Sequence, residues 1–352
     1  HSRAAIARAV EWMRLALQPQ AQAWIDAQRQ TWPIKEWATG VALLAGVASL
    51  LPLAYLLLGT QPFRSLQGPA GSRYAAAGRA YYRWAAANGL LMLLYLPLIF
   101  ALFGLHVYVV PIDGLFPMMM VNGIMWWFLV INLAGFFLFR RWYRRHARPT
   151  GVTLAELGIS DRSDGFGWDW GRIGRGALLA MLLFAFAYLV QAGLERLLIV
   201  DYRFIFPFAS NLTPYRWLMF AIYFPFLLLG FLCLGTFLHG QMRRAWKKGL
   251  VRTWAAWSTA NVLVLVVPLL VLLAAQYVPL LVAGRIPFVG PGGVLATFVM
   301  NLFHVIGVLV LVIPLSTWLY QLTGRVYPGA ILSAALVAWM FTSSQVIAPI
   351  PV

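Results

Sequence analysis

Asn301 and His304 stand three positions apart inside a long apolar run, so they share one face of any helix that run forms. Together with Asn261 in the preceding apolar run, they could bind a polar substrate group or relay a proton, because polar side chains at membrane depth are expensive and mark functional positions. The same residue types also join helices through hydrogen bonds, and no carboxylate falls deep within a run to partner His304. Asn122 and Asn132 fit the packing role. A second group is Glu195 and Arg196, with Asp201 and Arg203 following within eight residues, beside the aromatic run from Phe204 to Phe208. Such charges beside aromatics suit a lipid headgroup or the lining of a cavity under an external domain. Ion pairing that anchors a helix end, worth little when solvated, is the plainer use.

Asp161, Asp164 and Asp169 alternate with Gly165, Gly167 and Gly171. Aspartates among glycines suggest metal binding, but the spacing does not fit the calcium loop, and no strand precedes the glycines as a dinucleotide site requires. Turn formation remains, with Asp169 capping the helix that follows. No H-E-x-x-H, C-x-x-C, Walker A or paired intramembrane glutamates occur, so zinc hydrolysis, thiol redox chemistry and nucleotide hydrolysis lose their support. No metal or cofactor is expected.

The elements that would position these residues follow from composition. The chain has 352 residues, 62% apolar and 11% charged, with a mean hydropathy of +0.77. That is too little charge for a soluble surface, and the single Cys233 forbids an internal disulfide. Crossing a hydrocarbon core takes about 20 apolar residues. Eight stretches qualify, near 38–59, 86–106, 118–139, 176–195, 216–238, 257–276, 293–318 and 328–347. The expected fold is therefore all-α, a polytopic membrane bundle of about eight transmembrane helices preceded by an amphipathic helix. The segment 277–288 contains Pro279, Gly284, Arg285 and Pro287 and is expected to be an interfacial or re-entrant loop.

Lys and Arg set the orientation. The loops after the first, third, fifth and seventh spans carry 18 of them and the intervening loops with the C-terminal tail carry 4, which places the first set in the cytoplasm and both termini outside. The net charge of +17 is then a topology signal, with attraction to anionic lipid as a second effect, and nucleic acid is not an expected partner.

Upstream of the spans, Ile6, Val10, Met13 and Leu17 recur at spacings of three and four, which predicts an amphipathic helix over 3–18, capped by Ser2 and ended by Pro19. The run from His1 to Met13, with a histidine just before this helix, resembles the end of a bacterial α/β-hydrolase domain. The stretch from Asp201 to Pro207, through Leu212 to Pro214 and on to Tyr223–Phe226, is similar to the membrane region of bacterial proteins in which such a domain precedes a multi-span module. The likeness touches about a third of the chain. It implies that His1 matches the general base of a Ser-His-acid triad, with nucleophile and acid upstream. The chain departs from the complete pattern because no G-x-S-x-G occurs in it, so by itself it could not hydrolyse anything by that route.

The expected organisation is thus a terminal helix and linker over 1–37 and a transmembrane domain over 38–352. Its expected role is to anchor an exported α/β-hydrolase-like protein in a bacterial cytoplasmic membrane and to present an apolar substrate. The expected partners are the bilayer and an upstream extracytoplasmic domain, with the oligomeric state left open. The alternative is a permease subunit whose polar site is Asn261, Asn301 and His304.

Overall fold

The computed structural model describes residues 3–18, 20, 24, 26–71, 73–112, 114–162, 165–198, 202–203, 208–345 and 347. Among them eight helical segments are long and apolar enough to cross a membrane. The backbone is helical because each N–H and C=O in hydrocarbon must find its partner within its own segment. Helix α1 (Arg3–Leu17) precedes the bundle. The spans are α2 (Trp32–Leu58), α4 with α5 (Gly78–Leu93 and Tyr95–Tyr108), α6 (Met119–Trp142), α7 (Trp170–Leu198), α8 (Pro214–Gly235), α9 (Leu250–Ala283), α10 (Val294–Thr323) and α11 (Val326–Ser344). A short α3 (Gln61–Arg64) follows α2. Single π-helical turns extend α6 over Tyr143–Ala147 and α8 over Thr236–Gln241. Two short strands, β1 (Tyr202–Arg203) and β2 (Phe208–Ala209), pair antiparallel with Tyr202 opposite Ala209.

Local sequence explains where the helices break. Pro97 lies in the first turn of α5 and offers no N–H to the turn before it, so the second span divides at Leu94. Thr213 caps α8 by accepting the Arg216 N–H at 3.4 Å, and Pro214 occupies the first helical position, where a missing N–H costs nothing. The segment expected as a loop over 277–288 is instead divided. Helix α9 runs through Pro279 to Ala283 and stops at Gly284, whose φ of +63° turns the chain left-handed. Helical continuation keeps the backbone of the exposed Leu281 and Val282 hydrogen-bonded within the helix. Only residues 284–293 form the connection, and Gln276 holds it by accepting the Phe288 N–H at 2.8 Å and donating to the Phe288 carbonyl.

Burial identifies the core. In the most apolar window of α11, 83% of residues are buried, and in that of α10 67%, against 22% in α2, so the last two helices form the axis around which the others pack. Helix α11 packs against α7, α8 and α10, α6 against α8, and α4 against α9. Small residues permit the closest crossing. A Cβ on Gly329 of α11 would lie 2.9 Å from the Ser316 Cα and carbonyl oxygen of α10, both backbone-fixed. Gly329→Val is expected to cost ~1–3 kcal/mol through overpacking. Gly174→Ala, with no heavy atom within 4 Å, is expected to leave stability unchanged or slightly raised, and thermal unfolding in detergent measures both.

Candidate functional site

At the end of the bundle that carries the chain's N-terminal segment, two side chains of the group expected around α7 are described, Glu195 and Arg196. Glu195 accepts the Gln191 Nε2 at 2.7 Å and the Asn211 backbone N–H at 3.0 Å, so its carboxylate pins the segment before α8 to α7. Arg196 is exposed. Arg203 contributes its backbone to β1, and Asp201 lies outside the described residues, as do Phe204 to Pro207. His1, the residue matched to a triad base, and its neighbour Ser2 also lie outside them. Further bonds tie this end together. The Trp339 indole donates to the Ser210 carbonyl at 2.9 Å, and Arg216 donates to the Thr342 carbonyl.

The polar residues of the sixth and seventh spans make hydrogen bonds within and between helices. Asn261 of α9 donates to Thr317 Oγ1 of α10 at 3.2 Å, which joins the two helices. Asn301 donates to the Thr297 carbonyl one turn earlier in its own helix. His304 is fully buried and stacks on Phe341 of α11 at 4.9 Å. Asn122 likewise bridges, accepting the Tyr223 hydroxyl at 2.6 Å. Asn132 donates to the Phe128 carbonyl of its own helix.

A denser polar site lies at the opposite, arginine-rich end. Its centre is Arg243, just past the π-helical turn of α8, with 1% of its surface exposed. The guanidinium donates to Glu156 Oε1 at 2.8 Å, the Glu156 carbonyl at 2.7 Å, the Tyr74 carbonyl at 3.0 Å and the Tyr320 hydroxyl at 3.2 Å. Glu156 also accepts the Arg73 N–H at 2.8 Å, and Gly71 leaves room for it, since a Cβ there would overlap the carboxylate. The Tyr74 hydroxyl donates to the Gln241 carbonyl at 2.8 Å. Burial pushes this phenol up to about 12 while Arg243 works against the rise, so it stays a protonated donor at neutral pH.

A second carboxylate binds the same end. Asp161 accepts Arg325 Nε at 2.8 Å and lies 3.9 Å from Arg172. Arg325 sits between α10 and α11, just after Gly324, whose φ is +64° and whose Cβ would meet the Gly68 and Pro69 carbonyls. Asp169 caps α7 as expected, accepting the Arg172 N–H at 3.1 Å.

His239 and Ser316 bring an imidazole and a hydroxyl together 3.1 Å apart, with the imidazole stacked on Tyr320. His239 Nδ1 has no hydrogen-bond partner among the described residues. No acid therefore orients the ring, and the pair lacks what a triad needs. Among the described residues no three His, Cys, Asp or Glu side chains gather to hold a metal ion.

Sequence reasoning missed Glu156, Arg243, Arg325 and Tyr74. Their one visible signal is the scarcity of acids, which forces any buried arginine to share one of very few carboxylates. No protein-family model, curated protein or solved structure matches the chain. Asp161→Ala strips two partly buried guanidiniums of a shared carboxylate and is expected to cost ~1.5–3 kcal/mol, whereas Arg196→Ala is expected within ~0.5 kcal/mol. Denaturation midpoints in detergent check the pair.

Proposed function

We propose that this chain is the membrane-anchoring module of an exported α/β-hydrolase-like protein, with a catalytic domain upstream of His1 on the outer face of a bacterial cytoplasmic membrane. The observation that carries the reading is α1. Its Ile6, Ala7 and Val10 face is partly covered, while Trp12, Met13, Leu15 and Leu17 remain exposed. An amphipathic helix with its second half uncovered is what the closing helix of a larger domain leaves when that domain is not in view. Gln30 reaches back to the Arg3 carbonyl at 2.8 Å and ties α1 to the segment entering α2. The bundle below suits an anchor, since Asn261 and Asn301 spend their hydrogen bonds within and between helices. A permease would need those groups turned to a path.

The segment after α7, pinned by Glu195 to Asn211, is where an apolar substrate would be presented to that domain. The decisive assay uses the gene with its natural upstream sequence, expressed in membranes and treated with a fluorophosphonate probe for activated serines. Labelling of the same polypeptide that carries these spans is expected. A membrane protein of this sequence that takes no label, beside a labelled control hydrolase, overturns the reading.

A further inference from the structure

A half-open groove of about 1080 Å³ runs between α6 and α8 at the arginine-rich end. This exceeds the ~300–1,000 Å³ of sites for drug-sized ligands. Its walls are Leu133 and Phe136 of α6 and Leu228 and Leu232 of α8, with Ile331 of α11 behind them. Such a surface offers nothing to a water-soluble anion.

The rim is chemically opposite. Arg140, Arg144 and Arg148, each four residues from the next, line it, and Arg141 and Arg145 stand with Arg140 and Arg144 around a shallow neighbouring recess. None of the five forms an ion pair with a described residue, whereas Arg172, Arg243 and Arg325 of the same end all do. Five exposed cations within nine residues repel one another and create a positive field that attracts an anion. Trp168 and Trp170 line the groove as well and are exposed, and indoles of this kind settle at headgroup depth. The groove therefore changes from guanidinium and indole at one level to mostly apolar side chains at the next, which is the polarity profile of a phospholipid.

We propose that this groove is a binding site for an anionic phospholipid of the membrane, its phosphate on Arg140, Arg144 and Arg148 and an acyl chain between α6 and α8. Guanidinium forks match phosphate oxygens, and the apolar walls supply what a lone headgroup could not use. The site is independent of any upstream domain.

Native mass spectrometry of the full chain, offered phosphatidylglycerol or phosphatidylcholine of matched acyl chains, tests this directly. Retention of phosphatidylglycerol is expected to exceed that of phosphatidylcholine by about tenfold or more. The triple variant Arg140→Gln, Arg144→Gln, Arg148→Gln is expected to erase that preference, and Arg141→Gln with Arg145→Gln to keep most of it. Leu232→Trp, which fills the groove with every arginine intact, is expected to reduce binding of both lipids, and an unchanged melting temperature shows that each variant is folded. If Leu232→Trp does not fold, the arginine variants decide alone. Equal retention of the two lipids, a preference that survives the triple variant, or equal loss in both arginine variants overturns the proposal. So does glycerol phosphate competing as well as the intact lipid, which would make the site one for soluble phosphate.

Discussion

The guanidinium of Arg243 is almost wholly removed from solvent, at the point where α8 leaves the bundle. A buried cation deprived of its carboxylate is among the most destabilising defects a protein can carry, so its surroundings are dictated. Glu156 must lie within hydrogen-bonding distance, and the oxygen that meets the guanidinium, Oε1, also accepts the Arg73 N–H at 2.8 Å and the Tyr74 N–H at 3.4 Å. The carbonyls of Tyr74 and Glu156 must turn inward toward the guanidinium. That requirement draws together the segment after α3, the long loop after α6, the end of α8 and Tyr320 of α10. Backbone bonds then complete the junction, with Ala76 donating to the Arg243 carbonyl and Val326 to the Gly158 carbonyl.

The groove proposed for lipid depends on the same junction. Gly158 and Val326 line it, and both are held by the hydrogen bond that closes the long loop onto α11. The arginines of this end therefore divide by surroundings. Those that face inward are matched to Glu156 and Asp161, and those along the extension of α6 face outward with no described carboxylate. With ten acids against 27 bases in the whole chain, protein alone cannot compensate every cation. The anionic lipid proposed for the groove would supply the missing counter-charge to the unpaired arginines.

The eight spans were legible in the sequence because a run of 20 or more apolar residues has one stable solution in hydrocarbon. Their ends were less so. Helix α9 extends past Pro279, so the proline did not break it, and it was Gly284, in the left-handed conformation, that ended it. The capping role of Asp169 was readable from its place before an apolar run. The bridging role of Asn261 was one of the two uses that its residue type offered, and its bond to Thr317 is of that kind. The pairing of Arg243 with Glu156 was not readable, since 87 residues separate them and neither lies in a periodic pattern. Counting basic residues told which loops share a side, and the same counting treated Arg243 and Arg325 as interchangeable with the exposed arginines beside them. Burial makes the difference, and burial of a loop residue leaves no trace in local spacing.

The most direct measurement is a double-mutant cycle on Arg243 and Glu156, with methionine at each position alone and at both, and unfolding followed in detergent micelles. If the pair holds the arginine-rich end together, each single change costs ~3–5 kcal/mol, because it strands the other charge. The double change then costs clearly less than the two singles added. Additivity within ~0.5 kcal/mol would contradict this, since it would mean that the two side chains contribute separately and that the junction rests on its backbone bonds alone.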